Sequence, residues 1–195
     1  MQKRRFFPVA AALAVAGTLP AAAATPAGKA RGPALLTVTG AVGKTNRGPL
    51  DPVVDQMMHK QKIGFTRAYA FDFAALAALP AVTIRPTLEY DAAVHTLRGP
   101  LLRDVLAAAG VTLGDASRVL LRAVDGYAVV VTGAQIRAQR TIVATHLDGA
   151  PMALGGLGPL WAVYDADRVP EMAARPLAER YAACPWALYH IDVQT

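Results

Sequence analysis

TIRPTLEYDAAVHTLRGPLLRDVLAAAG, the stretch from Thr83 to Gly110, decides the fold. Its opening residues predict a strand that ends in Thr87-Leu88-Glu89-Tyr90. A polar connection follows, and then a helix. Leu101, Leu102, Val105, Leu106 and Ala109 recur at the spacing of one apolar helix face, and Gly110 supplies a left-handed stop. The connection carries a carboxylate (Asp91), an imidazole (His95) and a guanidinium (Arg98). A strand end that feeds a polar loop is a common place for a site, because the rigid element aims what the loop carries.

Working outward from this stretch gives a mixture of short strands and short helices. On the N-terminal side, Leu35–Val42 predicts a first strand. Asp51 caps a short helix with Pro52 at its first position and Val53, Val54, Met57 and Met58 on its apolar face, and Asp72 caps another from Phe73 to Leu79. On the C-terminal side, two β-rich runs flank Asp125-Gly126, a strong hairpin signal. Thr132 or Gly133 opens a short helix, Ile142–Leu147 is a strand, and Asp148-Gly149 is a second tight turn. Gly155–Pro159 leads into a strand at Leu160–Tyr164. Leu177–Ala183 reads as helical. Trp186–Val193 reads as a terminal strand with Trp186, Leu188 and His190 on one face. There is no internal repeat, and the order argues an α+β or mixed α/β fold over a regular βαβ array.

The chain has 195 residues and a formal charge of +6. Lys3, Arg4 and Arg5 precede an apolar run from Phe6 to Leu19, and Ala22-Ala23-Ala24 offers a small-residue cleavage site, the pattern of a secretory signal peptide over residues 1–24. Removing those 24 residues from 195 leaves 171 and takes three basic side chains with it, so the charge falls from +6 to +3. Residues 25–34 then read as a Pro/Gly/Ala linker and 35–195 as one domain, periplasmic in location. No basic stripe interleaved with aromatics appears, which argues against nucleic acid as a partner. Cys184 is the single cysteine, so no internal disulfide forms, and it reads as a small buried apolar residue.

In chain order, FDFAALAALP, TLEYDAAVHTLRGPLLRDVLAAAGV, VDGYAVVV, DGAPM, GPLWAVYD and WALYHIDV cover most of the chain from about residue 36 to 193. Together they resemble the small exported members of the sulfite-oxidase-like superfamily, whose oxidoreductases hold a molybdopterin cofactor. The resemblance implies an α+β fold with a curved mixed β core and short flanking helices. In the enzymes of that superfamily the residue after TLE or TLQ is the cysteine that binds molybdenum; here it is Tyr90. An arginine often stands near the cofactor phosphate where this chain has Trp161. Some small members bind pterins without metal and serve as periplasmic sensors, so the resemblance implies a metal-free pterin ligand, disfavours the molybdenum cofactor, and suggests a membrane signalling protein as partner.

Each site residue has two readings. A pterin offers a 2-amino and an N3–H group side by side, which a carboxylate accepts together, and an aromatic ring stacks on its face. Glu89, Tyr90 and Asp91 supply those chemical types; the competing reading is a polar strand end with one half-buried tyrosine. Arg98 and His95 can meet a ligand carbonyl, or else solvate and pin the loop. Asp125 and Tyr127 straddle Gly126, where turn chemistry accounts for Asp125 fully and for Tyr127 in part. In GGLGPLW, the backbone at Gly158 can approach a ring and Trp161 can close over it; core is the competing fate of Trp161, and more so of Trp186. On the first reading, Trp161→Ala weakens binding more than it unfolds the protein. The chain shows no paired histidine spacing for zinc, no G-x-S-x-G elbow and no acid/base carboxylate pair. The alternatives to a ring-binding protein are a molybdenum oxidoreductase working without the usual thiolate, and an interaction domain whose pocket is lost.

Overall fold

Gly110 ends its helix as the sequence predicts. At φ +78° it closes a Schellman motif: Val111 N–H donates to Leu106 O at 3.0 Å and Gly110 N–H to Ala107 O at 2.9 Å. This helix is one element of the computed structural model, which describes residues 32–194. The expected leader, and the linker up to residue 31, lie outside the described residues.

In chain order the elements are β1 (Leu36–Gly40), α1 (Gln56–Lys60), β2 (Tyr69–Phe71), α2 (Phe73–Ala77), β3 (Ala81–Ile84), β4 (Leu97–Pro100) and α3 (Leu102–Ala108). β5 (Arg118–Ala123), β6 (Ala128–Thr132), α4 (Gly133–Gln139), β7 (Ile142–Ala144), β8 (His146–Leu147), β9 (Ala150–Pro151), β10 (Trp161–Val163), α5 (Pro170–Ala173) and β11 (Leu188–Gln194) complete the chain. A five-stranded sheet runs β2-β1-β11-β5-β6, parallel only between β1 and β11. A four-stranded sheet runs β3-β4-β8-β9, and β10 pairs with β7. Among the described residues no helix is long and apolar enough to cross a membrane.

Alternation decides which face of the large sheet meets the core. Leu36 and Val38, Val119 and Leu121, Ile191 and Val193 point to one side and pack against Leu102, Val105 and Leu106 of α3. The opposite face is polar. Thr39 Oγ accepts from or donates to His190 Nε2 at 2.9 Å and donates to Asp192 Oδ1 at 2.8 Å, while Arg47 donates to Thr37 Oγ1 at 3.1 Å. A second apolar cluster gathers Leu88, Leu97, Ile142, Trp161, Tyr164, Tyr181 and Cys184 beneath the smaller sheets.

The Asp72 cap holds as read, and α4 opens on a capping box that the sequence reading did not name. Asp72 Oδ1 accepts from Ala75 N–H at 2.7 Å, and Thr132 and Gln135 form a reciprocal capping box at the start of α4. Asp125-Gly126 and Asp148-Gly149 both turn hairpins, joining β5 to β6 and β8 to β9.

Other elements differ from the sequence reading. The first strand of the deciding stretch stops at Ile84, because Pro86 has no N–H to continue a ladder. The chain then folds back on itself: Leu88 N–H donates to Ala93 O and Ala92 N–H to Leu88 O, which leaves Glu89 and Tyr90 at the tip of a turn. It returns as β4, a strand where the sequence suggests only a connection. The run Ile142–Leu147 splits at Thr145, whose N–H donates to Arg98 O at 2.9 Å, so that β7 and β8 serve different sheets. Asp51 accepts from Val53 and Val54 N–H, but α1 begins only at Gln56. Of its expected apolar face only Met58 is buried; Val53, Val54 and Met57 are exposed.

Candidate functional site

The turn that carries Glu89 and Tyr90 faces an irregular wall, residues 177–187. The sequence suggests a helix over Leu177–Ala183, yet a single 3-10 turn at Leu177–Glu179 is all that forms. Aromatic side chains hold the wall by taking its carbonyls or reaching across it. Tyr164 Oη donates to Arg180 O at 2.6 Å, Tyr127 Oη to Ala182 O at 2.6 Å, and Trp161 Nε1 to Cys184 O at 2.9 Å. Tyr181 Oη reaches out of the wall to Thr87 O at 2.6 Å and ties it to the base of the turn. Hydrogen bonds to scattered donors replace those a helix would make to itself.

Turn, wall and the β5–β6 hairpin enclose a cavity of about 280 Å³. Glu89, Tyr90, Asp125, Tyr127, Cys184 and Trp186 are among its lining residues. That volume falls just below the ~300–1,000 Å³ typical of small-molecule sites. Tyr90, Tyr127 and Trp186 are 56%, 49% and 39% exposed, so large rings stand open to solvent around one hollow. Trp186 reaches it because the terminal strand starts late. Ala187 has φ +48° and the register shifts between Leu188 and His190, which takes Trp186 out of the strand's alternation. Cys184 is nearly buried, and burial pushes its thiol well above the ordinary value. Burial, then the neighbouring Glu89 carboxylate, raises the Tyr90 phenol. Both groups are therefore protonated at neutral pH.

No family model matches this sequence, and no curated protein matches it. A solved structure does. The sulfane dehydrogenase SoxCD from Paracoccus pantotrophus superposes with a TM-score of 0.52 at 12% identity, over 81% of this chain and 37% of that one. The chain thus spans well under half the length of that protein. The likeness is one of fold: a mixed α+β architecture around a curved multi-stranded sheet.

The structure gathers only part of the sequence-predicted set. Glu89, Tyr90 and Tyr127 line the cavity; Asp91, Arg98, Gly158 and Trp161 do not. Trp161 has no exposed surface and lies in the second apolar cluster. Gly158 is buried for a packing reason, since a Cβ there would stand 2.4 Å from Met152 Cβ. Arg98 lies on β4 in the four-stranded sheet, opposite Thr83 and His146. Asp125 and Trp186 are lining residues that the sequence reading assigned to a turn and to the core. Asp125 does both jobs: Oδ1 accepts from Tyr127 N–H at 2.9 Å while the residue borders the cavity. Nothing in the sequence marks Trp186 except its place after Cys184-Pro185.

Asp91 serves His95. The imidazole sits between two carboxylates, Nδ1 at 2.7 Å from Asp148 Oδ2 and Nε2 at 2.9 Å from Asp91 Oδ2, which clamps the Glu89–Tyr90 turn to the β8–β9 hairpin. The hydrogen bond to Asp148, then that to Asp91, raises the His95 pKa above its ordinary 6.5. Asp91 is lowered, first by Ala93 N–H and then by His95, and Asp148 first by Thr96 N–H and then by His95. A raised histidine stabilises the fold fully below 6.5, and that contribution is lost as pH climbs through the folded value. Solvent screens these exposed groups, so the effect is small. His190 works the other way: burial holds it down to about 4, so acidification below 6.5 costs stability there. His95→Asn separates the two. Wild type is expected to lose more melting temperature than this variant between pH 6 and pH 9; equal losses would show that the clamp adds nothing.

Proposed function

We propose that this protein binds a flat ring with a hydrogen-bond-donating edge, of the pterin class, without metal. The observation that carries the reading is the meeting of a half-buried carboxylate, Glu89, with the open rings of Tyr90, Tyr127 and Trp186 around one cavity of about 280 Å³. A carboxylate takes paired N–H donors side by side, and aromatic faces hold a flat ring above and below. Larger hollows fit less well. One of about 410 Å³ is bordered by Asp165 and Asp167, and Asp167 is already engaged by Thr87 N–H and Arg180. One of about 320 Å³ borders the exposed aliphatic side of α1 and presents no open aromatic ring.

The leader pattern of residues 1–24 supports export to the periplasm, and a ligand-binding protein there needs a membrane partner to report occupancy; both belong to the same proposal. The other reading, an oxidoreductase with a molybdenum cofactor, gains one observation: Cys184 lines the same cavity as Tyr90. The residues nevertheless do not fit that group. The Tyr90 ring occupies the turn position, and among the described residues no lysine or arginine lines the cavity to meet a phosphate.

The test is a calorimetric titration with pterin, beside elemental analysis of protein purified from a host that makes the molybdenum cofactor. Micromolar or tighter binding and no stoichiometric molybdenum are expected. Absence of pterin binding, or near one molybdenum per chain, would overturn the proposal.

A further inference from the structure

We infer that the cavity sorts ligands by charge: it takes a neutral or positively charged nitrogen-rich ring and turns away one that carries a carboxylate or phosphate. This rests on the ring-binding reading and narrows it to a ligand class.

The charge pattern of the lining carries the inference. Glu89 and Asp125 both border the cavity, and neither is in an ion pair with any described lysine, arginine or histidine. Asp125 spends one oxygen on Tyr127 N–H, which leaves the other for a ligand. Tyr90, Tyr127 and Trp186 add ring faces, which carry negative electrostatic potential and attract cations. Among the described residues no basic side chain lines the cavity, although the chain carries a formal +6, or +3 without residues 1–24. Local and global charge are thus opposite in sign. A ligand with an anionic tail meets two uncompensated carboxylates and no counter-charge. A ligand with ammonium or amidinium character meets two carboxylates and several ring faces.

The cavity is open enough that water and salt screen the effect, which sets its size. Between a singly positive and a singly negative form of one ligand, a ratio on the order of tenfold in affinity is expected at low ionic strength, shrinking as salt is added.

The probes share one ring and one point of attachment: 6-hydroxymethylpterin, pterin-6-carboxylate, and pterin bearing a trimethylammoniomethyl group at C6. Calorimetry at low and high salt is expected to rank the cation tightest and the carboxylate weakest. Glu89→Gln is expected to shrink the spread while leaving the melting temperature near wild type. Equal affinities for the three probes, or a spread indifferent to salt, would overturn the charge rule and leave ring binding standing. Failure of all three to bind would overturn ring binding itself, and the charge rule with it.

Discussion

Trp161→Ala is expected to unfold the domain before it affects any ligand. The side chain has no exposed surface, and its ring lies 6.2 Å from that of Tyr181 in a tilted packing. Truncating a buried tryptophan costs ~3–5 kcal/mol, a large part of the ~5–15 kcal/mol that holds a typical domain together. A second loss adds to it: without Nε1–H, the carbonyl of Cys184 is left without that donor inside the apolar cluster. That carbonyl is one of the anchors of the wall at residues 177–187, so the cavity loosens as the core empties. Trp161→Phe separates the terms, keeping most of the ring area and losing the donor. Denaturant melts of wild type, the phenylalanine and the alanine variants are expected to fall in that order. An alanine variant that melts near wild type but loses pterin affinity would restore the reading of Trp161 as a lid.

That reversal shows which parts of the chain are legible in the sequence. Features closed within a few residues read correctly. Gly110 with its apolar periodicity, the Asp72 cap and the two Asp-Gly turns each contain their own cause. Features settled by partners far along the chain do not. β4 looks like a polar connection because Arg98-Gly99-Pro100 has no strand pattern; it is a strand because β3 on one side and β8 on the other supply its hydrogen bonds. The segment 177–183 has helical composition, but Tyr127 and Tyr164 come from elsewhere to claim its carbonyls. The tryptophans exchanged roles for a similar reason. A position after a glycine-rich loop suggests Trp161 is open, while β7 pairs across it and buries it; a place in a terminal strand suggests Trp186 is core, while the left-handed Ala187 turns it outward. Of the candidate site, the residues Glu89 and Tyr90 are legible, though as a strand end and not as the turn they form, and the wall opposite is not.

Trp186→Ala is therefore expected to do what Trp161→Ala does not: weaken ligand binding while the fold stays. Trp186 is 39% exposed and borders the cavity, so truncation leaves little buried void. Loss of one aromatic stacking surface against a flat heterocycle costs ~1–3 kcal/mol by the measure of base stacking, roughly tenfold to a hundredfold in affinity. Because the chain has only two tryptophans, fluorescence can assign the effect. Trp161 is sealed in the core and hydrogen-bonded, so a ligand in the cavity should quench Trp186 selectively. Pterin added to wild type is expected to quench part of the emission, the solvent-exposed, red-shifted part. In Trp186→Phe that quenching should vanish while calorimetry still detects binding, since phenylalanine keeps a stacking face. In Trp186→Ala both should fall, with the melting temperature within a few degrees of wild type. Quenching that survives in Trp186→Phe would place the ligand against Trp161, which the ring could reach only if the wall at residues 177–187 opens. Binding unchanged in Trp186→Ala would remove this ring from the site and leave Tyr90 and Tyr127 as the stacking faces.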